Sequence, residues 1–256
     1  MTDFELSTVQ LSDSISWLAR NPGYDYHQLG DAGAKDFVRN HFGDDMPVQN
    51  AFNELRHTGM KSDLLRYLLM LVEGGVYTDI DTVAYRPIDV WVPDQYRKST
   101  RVVIGIIFDR LDGPNLVEFH RDLQFCQWTI AATPGHPVFR SMVQRAVASL
   151  KELAISYKTT LSGLQPTSLE VMQSTGAFAW TDAVLQQLQL FDPSLSSLRQ
   201  LSGLQEPRLV GDILILPIDG FGMGQLHSNS TLDKIPAAAL LKHKFRGTWR
   251  GQQPSH

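Results

Sequence analysis

Ser62–Thr82, SDLLRYLLMLVEGGVYTDIDT, decides how the rest of this chain is read. Between Asp63 and Val72 only Asp63 and Arg66 are charged, and the remaining positions are apolar or aromatic. A helix that is apolar nearly all round belongs in an interior. Asp63 and Arg66 stand three apart and share a face of it. Two charges there are costly unless they pair with each other or with a ligand. Gly74-Gly75 ends the helix, because glycine takes the left-handed cap without strain. Val76–Asp81 then alternates as a strand does, so Asp79 and Asp81 project together and Ile80 turns away. Adjacent carboxylates repel. They are tolerated when a divalent cation lies between them and a polyanion, or when they share a proton. Hard oxygen ligands suit Mg2+ or Mn2+. A solvated Asp-x-Asp at a strand end is the plainer reading of the same residues.

The chain has 256 residues, 43% hydrophobic and 20% charged, the composition of an ordinary globular protein. It is long enough to bury a sizeable core, and a single domain over residues 1–256 is expected. A net charge of −4 offers no broad basic surface for nucleic acid. Cys126 is the only cysteine, so neither an internal disulfide nor a cysteine metal cluster is available. No apolar run is long enough to span a membrane, and Met1–Gln10 carries no signal-peptide pattern.

Outward from the central stretch, residues 9–22 read as a helix and Tyr24–Leu29 as an alternating strand. Asp31 is placed to cap a helix through Phe42 that Gly43 closes, and Val48–Leu55 forms a short helix. Arg101–Phe108 is a continuous apolar run, expected to be a buried strand, with a loop at Asp109–Asn115. His120–Ala132 suggests a strand running into a helix, and Pro134–Val138 opens a helix to about Ile155. Residues 156–170 read as loop. Ser174–Phe178 is a turn before a helix over Trp180–Leu190, and Asp192–Gln205 is a loop. Val210–Ile218 reads as one buried strand. Gly220–Gly224 lacks the strand and helix context of a dinucleotide fingerprint and reads as a loop.

Ser62–Tyr67 with Gly74–Thr82 resembles the core signature of glycosyltransferase family 32. Further stretches are similar to a mannosyltransferase branch of that family: Gln127–Ile130 with Pro134–Pro137, Ser174–Gly176 with Trp180–Ala183, Pro217–Phe221 through Ser228, and His243–Phe245 with Gly247–Trp249. The similarity covers roughly residues 17–250. It implies a GT-A-like, Rossmann-like α/β fold, with a mixed, mostly parallel sheet flanked by helices. The strand that usually opens the family pattern has no counterpart in Met1–Gln10. The implied chemistry is metal-dependent transfer of mannose from GDP-mannose to a mannose-containing glycan, with an α-1,6 linkage and retained configuration. Carried onto this sequence, Asp81 is the main metal ligand, with Mn2+ or Mg2+ as the ion. Asp79 touches metal and ribose, and His243 completes the metal shell. Asp63 binds ribose or sugar, Arg66 binds donor sugar or phosphate, and Trp249 lies against the diphosphate. Relatives of this kind work in the Golgi, so a Golgi transferase complex is an implied partner.

Plainer roles stand beside these. Asp63 and Arg66 could be a structural ion pair, and His243 or His227 could be surface histidines. Trp128 and Trp180 read as core, His136 as a helix cap, and Asn229-Ser230-Thr231 as a chance glycosylation sequon. Transferases acting on sphingolipid head groups share the central motif. Asp79-Ile80-Asp81-Thr82 also fits a haloacid-dehalogenase-like phosphatase, with Asp79 as nucleophile and Asp212 as a late acidic residue. A transferase-like subunit without turnover is the non-enzymatic alternative.

Overall fold

The computed structural model describes residues 8–113, 121–226 and 228–246. In chain order its longer elements are α1 Thr8–Arg20, α2 Asp31–His41, α3 Met46–Glu54, α4 Thr58–Val72, β1 Gly75–Thr78, β2 Thr82–Ala84, β3 Val102–Asp109, β4 Leu123–Phe125 and β5 Thr129–Ala132. There follow α5 Pro137–Ser156, α6 Ser168–Ser174, α7 Ala177–Phe191, β6 Arg208–Val210, β7 Ile213–Leu216, α8 Ile218–Phe221 and β8 Leu241–His243. The class is mixed α/β, as expected.

The described residues group into two units, one gathered from the chain up to His27, Gly75–Thr133 and Val184–Lys244. It holds a sheet in the order β1-β5-β3-β7-β6, with β4 also on β3. Its parallel element is the β3/β7 pair, with Val102 opposite Ile213 and Gly105 opposite Leu216. The other described pairings are antiparallel. β3 is buried along its whole length, as its unbroken apolar run predicts. Gly105 is required there: a Cβ would stand 2.8 Å from the Cβ of Phe221, so α8 lies directly on β3. Trp91 meets Phe221 edge-on at 5.0 Å and Trp17 at 6.0 Å, which ties α1 to the same core. A separate two-stranded ladder joins β2 to β8, with Thr82 opposite His243.

The other unit gathers Gln28–Gly74, Pro134–Ala183 and the chain from Phe245. α4 is its interior helix, with Met60, Leu64, Tyr67, Leu68 and Met70 buried. Tyr67 stacks on Trp180 at 5.5 Å, and Trp180 on Phe139 at 5.5 Å. Gly74 and Gly75 both have positive φ, 64° and 74°, so the helix stops where the glycine pair predicts. His136 caps α5, its Nδ1 accepting from the Val138 amide.

His57 caps α4 in the same way, its Nδ1 accepting from the Met60 amide at 3.2 Å. Burial holds its pKa below the ordinary imidazole value. The folded state therefore prefers the neutral ring, which also keeps the accepting lone pair. The resulting stability is fully present above the ordinary imidazole pKa and is lost as pH falls toward the depressed folded value. We expect the thermal midpoint to fall between neutral and mildly acidic pH by more in wild type than in His57→Ser. Serine keeps a capping oxygen that does not titrate. Equal pH profiles for the two proteins would contradict this.

Several local expectations are corrected. Tyr24–Leu29 is not a strand: Tyr24, Tyr26 and Leu29 are exposed, and the two tyrosines serve as hydrogen-bond donors to Asp89 and Ser14. The Tyr24–Asp89 bond raises the Tyr24 pKa to about 12. Gly30, not Asp31, is the N-cap of α2, and Asp31 sits in the first turn. His120–Ala132 contains β4 and β5 and no helix within its described part. Residues 156–170 include the start of α6, set by a Thr167–Glu170 capping box. Val210–Ile218 is a hairpin, not one strand. Gly211 turns at φ 60°, and a Cβ there would fall 2.3 Å from the Phe191 ring. The Gly220–Gly224 stretch begins inside α8. Residues 1–7, which carry most of the segment expected to lack the opening strand, lie outside the described residues.

Candidate functional site

Asp79 and Asp81 converge, but not by strand alternation. β1 ends at Thr78, and Asp79–Asp81 forms the turn into β2, closed by the Thr82 amide donating to the Asp79 carbonyl at 3.2 Å. The Asp79 amide donates to the Trp128 carbonyl at 2.8 Å, which hangs the turn on the residue preceding β5. Pairing of β2 with β8 then brings in the distant His243. The Lys244 amide donates to the Asp81 carbonyl at 2.9 Å and fixes that crossing.

The result is a cluster of two carboxylates and an imidazole. His243 Nε2 lies 3.2 Å from Asp81 Oδ1 and 3.6 Å from Asp79 Oδ2. One ligand atom from each of the three residues fits within a span of 4.8 Å. Tyr77 donates its hydroxyl to Asp79 Oδ1 at 2.8 Å, leaving Oδ2 turned to the histidine. The Trp128 ring lies 4.9 Å from the His243 ring and walls that side.

This donor set fits a small divalent cation. An octahedral ion with ligands at about 2.1 Å holds neighbouring ligands about 3 Å apart. The spacings from His243 to the two carboxylates are close to that. Two carboxylates and one imidazole match Mn2+ or Mg2+ better than a thiophilic metal. The three groups are partly exposed, which leaves coordination positions for water or for anionic oxygens of a ligand.

Asp63 and Arg66 belong to the α-helical unit and pair with each other. Arg66 Nη1 lies 3.2 Å from Asp63 Oδ1, and both side chains are buried. The Thr175 hydroxyl donates to Asp63 Oδ2 at 2.9 Å. Trp180 is fully buried and Trp128 nearly so, in keeping with core positions. Trp249 and His227 lie outside the described residues. Tyr77, Thr82 and Thr175 were given no site role from the sequence. Tyr77 was legible in principle, being an aromatic hydroxyl only two residues before Asp79.

Residues 10–98 match the family described as a glycosyltransferase sugar-binding region containing a DXD motif. That segment holds α4, both glycines, Asp79 and Asp81. Over that segment the chain matches the DXD glycosyltransferases. The chain is also 37% identical, over 91% of its length, to an initiation-specific alpha-1,6-mannosyltransferase of Schizosaccharomyces pombe. It is 27% identical over 92% of its length to the protein of the same name from Candida albicans. It spans 58% and 65% of the lengths of these two relatives. A solved structure titled PaToxG Glycosyltransferase aligns with a TM-score of 0.48 and 20% identity, over 77% of this chain and 70% of that one. The DXD turn is therefore the feature shared by the sequence motif, the family match and the cluster with His243. No helix among the described residues is long and apolar enough to cross a membrane.

Proposed function

We propose that this chain is a metal-dependent mannosyltransferase, acting as one catalytic domain, that moves mannose from GDP-mannose to a mannose-containing glycan in α-1,6 linkage. The observation that carries the reading is the meeting of Asp79, Asp81 and His243 within one ligand-sized span. The names of the relatives supply the sugar and the linkage for this reading. Asp79, Asp81 and His243 would hold Mn2+, or Mg2+ in its place. The bound cation supplies Lewis-acid stabilisation of the diphosphate as it leaves.

The chain's own residues do the rest. Tyr77 orients Asp79 through its hydroxyl. His243 is fixed by β8 and walled by Trp128. Charge that grows on the departing diphosphate is opposed most strongly where it is greatest, which is what lowers the barrier. In this reading Arg66 contacts donor sugar or phosphate, Asp63 contacts ribose or sugar, and Trp249 lies against the diphosphate. The reaction retains anomeric configuration, and the setting is the Golgi, within a transferase complex. A sphingolipid head group is the second acceptor class, since the central motif does not distinguish it.

The test incubates purified protein with Mn2+, a mannose oligosaccharide or an inositol-phosphate sphingolipid, and a panel of sugar nucleotides. Mannose transfer from GDP-mannose to the oligosaccharide, removable by an α-1,6-mannosidase, is the expected result. Transfer only to the sphingolipid would move the acceptor assignment. Phosphate release from simple esters without any transfer would favour the phosphatase. Binding of GDP-mannose without turnover would leave a non-catalytic subunit.

A further inference from the structure

The DXD turn rests on a hydrogen-bond relay whose direction can be read from proton counting. Thr82 has one hydroxyl proton, and it goes to the Asp79 carbonyl at 2.7 Å. The Thr78 hydroxyl, 2.7 Å from that of Thr82, must then be the donor between them. Thr78 has spent its proton, so Thr129, 3.0 Å away across the β1/β5 ladder, donates to Thr78. Trp17 Nε1 donates to the Thr82 hydroxyl oxygen at 3.2 Å and to the Thr82 carbonyl at 3.1 Å. Thr82 is thus the hub, with one proton given and two bonds accepted. At 1% exposure it has no water to take over any of them.

The hub sits on an edge that α1 covers with side chains. Along β2, alternate backbone groups face β8. The others meet α1: the Ala84 amide donates to Ser16 Oγ at 2.9 Å, Arg20 Nε donates to the Ala84 carbonyl at 2.9 Å, and Trp17 donates to the Thr82 carbonyl. α1 stands where a further strand would otherwise supply these bonds.

We propose that the relay Thr129–Thr78–Thr82–Asp79, anchored by Trp17, sets the DXD turn for metal binding, and that Thr82 is a positioning residue of the transferase site. This rests on the metal-site reading above. In this role Thr82 is not itself a ligand. Its hydroxyl holds the Asp79 backbone, and with it the spacing of Asp79 and Asp81. A chain of bonds running one way also polarises each successive hydroxyl.

The test titrates the full chain with Mn2+ and follows free Mn2+ by electron paramagnetic resonance, with circular dichroism as the check on folding. Thr82→Val keeps shape and removes the hydroxyl, so the Kd for Mn2+ should rise on the order of tenfold, as for other groups that orient metal ligands. Thr82→Ser should bind as wild type does, and Asp81→Ala should lose binding. A folded Thr82→Val that binds Mn2+ like wild type, while Asp81→Ala does not bind, overturns the relay and leaves the metal site standing. Undiminished binding by Asp81→Ala overturns both. If Thr82→Val fails to fold, the half-buried Thr78→Val decides: weaker Mn2+ binding supports the relay, and unchanged binding overturns it.

Discussion

Asp81→Ala is expected to lower kcat/KM for mannose transfer by about a thousandfold, the scale of removing a group that stabilises charge only in the transition state. Asp81 Oδ1 is the carboxylate oxygen nearest His243, at 3.2 Å, and its carbonyl is held by the Lys244 amide. Alanine therefore removes the proposed ligand without releasing the backbone that places it. The same substitution removes one of two like charges held close together by the turn. Without metal, the variant should melt at or above the wild-type temperature, and added Mn2+ should raise the midpoint of wild type only. A catalytic group and a stability group would behave in opposite ways here, so the two measurements separate them. Transfer by Asp81→Ala at the wild-type rate would remove the metal clamp from the mechanism.

The second large effect concerns stability. Asp63→Ala should destabilise the fold by about 3–5 kcal/mol, because it takes the Asp63 carboxylate away from the buried Arg66 guanidinium. For a chain of this size that corresponds to a fall in thermal midpoint of roughly 6–20 °C. The pair is 3.2 Å apart with side-chain exposures of 5% and 8%, so solvent screens it little. Thr175 also loses its acceptor. The joint replacement Asp63→Leu with Arg66→Met should recover much of the loss, since an apolar pair of similar volume suits that interior. What the double variant does to transfer then speaks to function. Restored stability with no transfer supports the donor-binding role proposed for these residues. Restored stability with full transfer makes them a structural pair only. A single Asp63→Ala variant as stable as wild type would show that burial of the charges has been misjudged.

Much of the interior was legible because it depends on patterns local to the sequence. The unbroken apolar face of α4, the glycine pair after it and the β-branched run of β3 each have one physical solution, and the structure adopts it. Errors arose where a local pattern has two solutions. Tyr24–Leu29 alternates, but Tyr24, Tyr26 and Leu29 all stay exposed, and the tyrosines are held by their hydroxyls. Val210–Ile218 reads as one strand unless Gly211 is credited with its turn.

The candidate site shows the same division. Asp79 and Asp81 were expected to face one way through strand geometry. They do meet, but through a turn that Thr82 closes by its amide and its hydroxyl. The Asp-x-Asp pattern therefore pointed to residues that do meet, but by the wrong local geometry. His243 could not be placed by periodicity at all. It arrives through β2/β8 pairing between segments far apart in the chain, and only the family resemblance drew attention to it. The same is true of the Thr175 bond to Asp63, which joins α4 to the end of α6. Long-range pairing is set by the whole fold, so single-sequence reasoning sees its members but not their meeting.

Whether Asp79, Asp81 and His243 bind one divalent cation together can be read from pulsed electron paramagnetic resonance of Mn2+ added to the full chain. The expected spectrum shows hyperfine coupling from a single imidazole nitrogen, abolished in His243→Gln and absent in Asp81→Ala. A spectrum of bound Mn2+ with no nitrogen coupling, or one unchanged in His243→Gln, would contradict it.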